Sequence, residues 1–214
     1  MLRNLFLSKE EEEKETKACE AKGFTTQEQI LNEEKIHCQG NPECVEDIQP
    51  FCSQLANLYA ESATTGKPDP DTYLKTTHHE IFAAMKKERE LQLEEQKNHH
   101  DFLHPGFATV EYQVNVVPLK ELSTEANVKK QLDYNHTLVT IPVDNQKTHQ
   151  MYFGKEKEDK SNCVLIDSNA SGAKVTGSCD KFFNLFTQKF AELGTNVGSD
   201  KRVIIAQSNA PVLK

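Results

Sequence analysis

The chain has 214 residues, 27% of them charged, a net charge of −8 and no tryptophan. It is long enough to bury one medium-sized core, with or without an appendage. Its acidity, without basic clusters or a stacking platform, excludes the usual nucleic-acid binders and anionic-membrane binders. No stretch of about 18 apolar residues is present to span a bilayer, so no transmembrane segment is expected. The opening Met1-Leu2-Arg3-Asn4-Leu5-Phe6-Leu7 is too short an apolar run for an ordinary secretory signal, although delivery by a specialised secretion machine leaves no such mark. The six cysteines, Cys19, Cys38, Cys44, Cys52, Cys163 and Cys179, are unevenly spaced in a long, charged chain. That pattern predicts reduced thiols at work in a cytosol rather than a disulfide scaffold, with a Cys38–Cys44 bridge left open.

Residues 1–24 read as a charged N-terminal extension, its Lys and Glu run a solvated face or tail. Thr25 and Glu28 have capping-box spacing for a short helix whose apolar side is Ile30, Leu31 and Ile36. Gly40, Asn41 and Pro42 punctuate a loop. Pro50 suits the first turn of the next helix, in which Phe51, Leu55, Leu58, Tyr59 and Ser62 recur at three- and four-residue steps until Gly66. A second, polar helix is predicted from Pro70 to about Asn98. Alternation over Phe107 to Pro118 predicts a strand, and residues 119–133 a short helix. Further strands are expected at Asn135 to Val143, Thr148 to Phe153, Asn162 to Asp167, from Ala173 over the next few residues, and at Arg202 to Gln207. Between the last two, Ser178 can cap a Phe-rich helix ended by Gly194. Helices first and a meandering sheet second is an α+β order with little room for parallel crossovers.

Two of those strands carry a candidate site. In an antiparallel pair the start of one strand lies beside the end of the next. His149 enters one strand and Asp167 leaves the following one, so the two can meet, and a His oriented by an Asp is part of a nucleophilic constellation. The third member needs a thiol or hydroxyl. Cys52 lies in the first turn of its helix, where the dipole and free N–H groups favour a thiolate. Cys44 is the alternative nucleophile if that helix begins earlier. Each residue also has a plainer reading: Cys52 a packed core thiol, His149 a satisfied strand residue, Asp167 a strand-ending Asx turn, and Cys163 and Cys179 fillers. His100 and His104 stand four apart, but no Cys-x-x-Cys or His-Glu-x-x-His occurs, so neither metal nor cofactor is expected.

Phe51-Cys52-Ser53-Gln54-Leu55, with Ala56, Leu58 and Tyr59 after it, resembles the Cys-x-x-Leu helix start of papain-like cysteine peptidases. More narrowly it is similar to the bacterial effector peptidases of the YopT and AvrPphB type. His149-Gln150-Met151-Tyr152-Phe153 and Val164-Leu165-Ile166-Asp167-Ser168-Asn169 resemble the later motifs of that family, followed by Gly172, a short strand and a Phe-rich helix. Ser168 stands where the family has Pro, and no Gly precedes Cys52. The resemblance implies a papain-like domain over residues 25–214, helices packed on an antiparallel sheet. It implies a Cys52–His149–Asp167 triad acting on an amide bond of a protein substrate, such as a host protein. It also implies a side-chain amide in the oxyanion hole, for which Gln39 and Gln49 are the candidates. The same triad supports deamidation, transglutamination or acyl transfer, and a non-catalytic interaction module is the alternative from another class.

Overall fold

The computed structural model describes residues 52–66, 104–144, 147–169 and 174–213, with isolated positions between 31 and 38 and between 83 and 90. Its regular elements are α1 (Cys52–Thr65), β1 (Gln113–Pro118), α2 (Glu125–Leu132), β2 (His136–Pro142), β3 (Thr148–Lys155), β4 (Asn162–Ile166), β5 (Lys174–Ser178), α3 (Cys179–Val197) and β6 (Arg202–Ser208). Short 3-10 turns lie at Pro105–Phe107 and Leu119–Leu122. The architecture is α+β and papain-like, with helices packed on an antiparallel sheet. The strand order is β1-β6-β2-β3-β4-β5, and each neighbouring pair is antiparallel.

Strand side chains alternate between faces, and here both faces are covered. Val139, Ile141, Met151, Phe153, Leu165, Val203 and Ile205 meet Phe182, Phe183, Phe186 and Phe190 of α3 together with Val128 and Leu132 of α2. The intervening residues Leu138, Tyr152, Ile166 and Ala206 meet Leu55, Ala56, Leu58, Tyr59, Ala60 and Ala63 of α1 and Phe107. Strand β2, enclosed on both sides, is buried throughout, as its run of β-branched residues requires.

Small residues let α1 lie close to its neighbours. A Cβ on Gly106 would come within 2.5 Å of the Asn57 carbonyl oxygen and 2.7 Å of Ala60 Cβ, so only glycine fits there. Helix α1 ends as expected at Gly66, with φ of 70° and its N–H donating to Ser62 O at 2.8 Å.

Several expectations are corrected. Helix α3 starts on its Ser178 cap, whose hydroxyl accepts the Lys181 N–H at 3.3 Å, but it runs past Gly194. Glycine in a helix costs only about 1 kcal/mol, and the positive φ of 108° falls instead to Gly198. The strand expected from Phe107 begins only at Gln113, because the Pro105-Gly106 turn sends Phe107 into the core against α1. The alternation of β1 is real, but Tyr112, Val114 and Val116 are exposed. On the other side the amides of Gln113 and Asn115 donate to Gln207 Oε1 at 2.8 and 3.0 Å. Leu31 packs against the core as expected, whereas Ile36 is exposed.

Cys163 and Cys179 are not fillers. They form a disulfide joining β4 to the first residue of α3, Cα to Cα 4.9 Å. The β4–β5 register sets Cys163 across from Gly177, two residues before Cys179, a proximity invisible in the linear spacing. Cys38 is also disulfide-bonded, so the expectation of reduced thiols is overturned. Cys52 is the free thiol among the described residues. The charged extension over residues 1–24, Thr25, Pro50 and most of the helix from Pro70 to Asn98 lie outside the described residues. No described helix is long and apolar enough to cross a membrane.

The disulfide closes a loop with a sequence separation of 16, a size for which loop-closure entropy is about 3 kcal/mol. The double variant Cys163→Ala/Cys179→Ala should lose stability of that order in urea unfolding. A second prediction concerns two buried imidazoles. The Tyr152 hydroxyl lies 2.8 Å from His136 Nδ1, and Pro211 O lies 3.3 Å from Nε2. A carbonyl only accepts, so Nε2 carries the proton and Nδ1 accepts from tyrosine. Burial pushes both His104 and His136 down to about 4 from 6.5. Between those values the unfolded chain binds protons that the folded chain does not. Stability is therefore full above 6.5 and falls as pH drops towards about 4. Thermal melts across that interval should show the fall, and His136→Gln should make it smaller.

Candidate active site

The β3–β4 ladder pairs Tyr152 with Ile166 as its last position on that side. Asp167 follows immediately and so lies near the start of β3, where His149 sits. His149 Nε2 and Asp167 Oδ1 are 2.7 Å apart, and both side chains are buried. Asp167 Oδ1 also accepts the Asn169 N–H at 2.9 Å. That is an Asx turn, so Asp167 both ends the strand and holds the histidine. The Asn169 side-chain nitrogen stands 3.3 and 3.4 Å from the two ring nitrogens of His149. An atom nearly equidistant from both caps the ring rather than pairing with one edge. Asp167 Oδ2 and Ser168 Oγ are buried without a hydrogen-bond partner.

Helix α1 brings its first residue to the same place, where the Cys52 thiol and the His149 ring are close enough that each shifts the other's ionisation. Since Asp167 engages Nε2, the free ring edge for the thiol is Nδ1. Burial pushes the Cys52 thiol up. The hydrogen bond and charge of His149, with bonds from the backbone N–H groups of Gln150 and Ser53, outweigh it and leave the thiol below its ordinary value of 9.0. Burial likewise pulls His149 down, but the charge and hydrogen bond of Asp167, with those of Cys52, carry it up to about 10. The directions agree: the histidine favours loss of the thiol proton, and the carboxylate and the thiol favour the protonated ring.

The residue after His149 was not anticipated. Gln150 Oε1 accepts from Ser53 Oγ at 2.7 Å and from Asn57 Nδ2 at 2.9 Å, both on α1. Gln150 Nε2 donates to Thr140 Oγ1 of β2 at 2.9 Å. Asn57 Oδ1 in turn accepts the Gly106 N–H at 2.9 Å. The signals were available: a Gln beside the His in an otherwise apolar strand, and Ser53 and Asn57 four apart on one helix face. What could not be read from the chain was that these two polar sets face one another.

Cys52, His149 and Asp167 thus come together. Gln39, Gln49 and Cys44 lie outside the described residues. His104 is buried against Tyr112, with ring centroids 5.9 Å apart. Among the described residues no three His, Cys, Asp or Glu side chains are grouped to hold a metal ion. A polarised thiol with a proton-carrying partner and an orienting carboxylate can form a thioester with a carbonyl substrate.

No protein-family model matches the sequence and no curated protein matches it. Among solved structures, the fold is similar to the crystal structure of the Pseudomonas avirulence protein AvrPphB. The TM-score is 0.50 at 13% identity, over 72% of this chain and 89% of that one. At that identity the likeness is one of fold.

The geometry sets a pH profile. Cys52 should alkylate rapidly below the ordinary thiol range, because the imidazolium stabilises the thiolate until His149 deprotonates near about 10. In His149→Ala the rate should fall at neutral pH and rise only as the unassisted thiol ionises, as followed by mass spectrometry of each cysteine.

Proposed function

We propose that the chain is a thiol protease that cleaves a peptide bond in a protein substrate, with Cys52 as nucleophile, His149 as acid and base, and Asp167 as orienting residue. One observation carries this: the free thiol at the head of α1 stands beside a histidine whose ionisation it shifts and whose Nε2 is held 2.7 Å from a fully buried carboxylate. Burying a charge costs several kcal/mol unless it is paired, and a core that only needed packing would be served better by apolar side chains. The papain-like arrangement of helix and sheet agrees with the chemistry without specifying it.

The Cys52 sulfur attacks the amide carbonyl carbon and forms a C–S bond. As the tetrahedral intermediate collapses, the C–N bond breaks and His149 gives its proton to the departing amine. A water then loses a proton to His149 and attacks the thioester, returning the thiol and releasing the acid. Asp167 fixes the ring so that Nδ1 faces the sulfur throughout. Backbone N–H groups at the start of α1 suit the developing oxyanion, and Gln39 and Gln49 are retained as proposed side-chain donors. We further propose action in a cytosol on a host or partner protein. The Cys163–Cys179 bridge suits a chain that passes an oxidising compartment beforehand.

The test is incubation of the protein with a cell extract, with new N-termini mapped by mass spectrometry. Wild type should generate discrete new termini, and Cys52→Ala and His149→Ala should generate none. Gln side chains converted to Glu, or joined to amines, without chain cleavage would replace hydrolysis with deamidation or transfer by the same residues.

A further inference from the structure

We infer that Gln150 is a positioning residue: its side-chain oxygen, shared between Ser53 and Asn57, locks the first turns of α1 onto β3 and so holds the Cys52 sulfur at the His149 ring. This rests on the thiol-enzyme reading and assigns a role to a residue outside the proposed triad.

Away from this point α1 meets the sheet through Leu55, Leu58, Tyr59, Leu138, Tyr152 and Ile166. Apolar contact of that kind is non-directional. It fixes the distance between helix and sheet but resists sliding and rotation poorly. Hydrogen bonds have narrow distance and angle preferences, and the directional ones between α1 and β3 lie at the end of the helix that carries the thiol. Gln150 is 3% exposed, and its amide is committed on both sides: Oε1 to Ser53 and Asn57, Nε2 to Thr140 on the adjacent strand. Asn57, fully buried, also donates to Ser53 O at 2.9 Å and accepts the Gly106 N–H at 2.9 Å. The lock is therefore braced from α1, from β2 and β3, and from the Pro105–Phe107 turn. Cys52 directly precedes Ser53 at the head of the same helix, so a shift of α1 along β3 would carry its sulfur away from the His149 ring. A buried amide serving stability alone would have no reason to stand next in chain to the histidine and next in space to the residue after the cysteine.

The test is the pH dependence of Cys52 alkylation by iodoacetamide in wild type, Gln150→Met and Ser53→Ala, each checked for folding by circular dichroism and thermal melting. Methionine keeps the volume and removes every side-chain hydrogen bond of this position. In folded Gln150→Met the neutral-pH rate should fall roughly 10- to 100-fold, the scale of catalytic misplacement, and the profile should move to higher pH. A purely structural role would lower the melting temperature and leave the profile in place, which overturns the inference. If Gln150→Met does not fold, Ser53→Ala decides. It removes one of two donors, so the rate should drop about fivefold, and an unchanged profile overturns the inference. A wild-type Cys52 no more reactive than a free thiol sinks both the inference and the thiol-enzyme reading. Normal reactivity with the expected variant effects but no peptide cleavage in any extract would sink the protease reading and leave the positioning role standing.

Discussion

A carboxylate with no access to solvent must be answered from within the protein. Asp167 is such a group, and its Oδ1 is answered twice, by the His149 ring and by the Asn169 N–H. Much of the surrounding architecture follows from that requirement. The carboxylate reaches the histidine only if β4 ends opposite the early part of β3, as the pairing of Ile166 with Tyr152 arranges. The turn after β4 must tighten at once, which the Asn169 N–H accomplishes. Cys163, four residues upstream, is bonded to Cys179 at the head of α3. The segment bearing Asp167 and Asn169 is therefore enclosed between two covalently joined points.

The sheet supports this arrangement by being covered on both faces. The Phe-rich face of α3 and the side of α2 bury one layer, and α1 with Phe107 buries the other. That leaves the start of β3, where the strand meets the first turns of α1, as the place where polar groups gather. Ser53, Asn57, Thr140 and Gln150 hydrogen-bond to one another there, as buried polar groups require. Gly106 belongs to the same logic, since any side chain at that position would strike α1 and remove the N–H that Asn57 accepts.

The histidines divide by environment rather than by sequence. His104 and His136 are pushed down by burial, and His136 is fastened between Tyr152 and Pro211. His149 is as buried as they are, yet the neighbouring carboxylate and thiol carry it the opposite way, up to about 10. The difference is one of partners: a hydroxyl and a carbonyl do not compensate a positive charge as Asp167 does.

Local periodicity was sufficient for the α+β class, for β2, β3, β4 and β6 within a residue or two, for the Ser178 cap and for the Gly66 terminus. Strand alternation and helical spacing are short-range properties written directly in residue order. The pairing of His149 with Asp167 was legible for the same reason, because consecutive antiparallel strands place those positions together by geometry alone. Other features depended on which distant segments meet. β6 inserts between β1 and β2, the apolar side of β1 faces solvent, Cys163 finds Cys179 through the β4–β5 register, and Gln150 faces Ser53 and Asn57. The reach of Cys52 to the histidine belongs with these. The chain supplies a thiol at a helix start, but only the docking of α1 on the sheet brings it to the ring, since non-local packing sets the relative position of elements that local sequence merely forms.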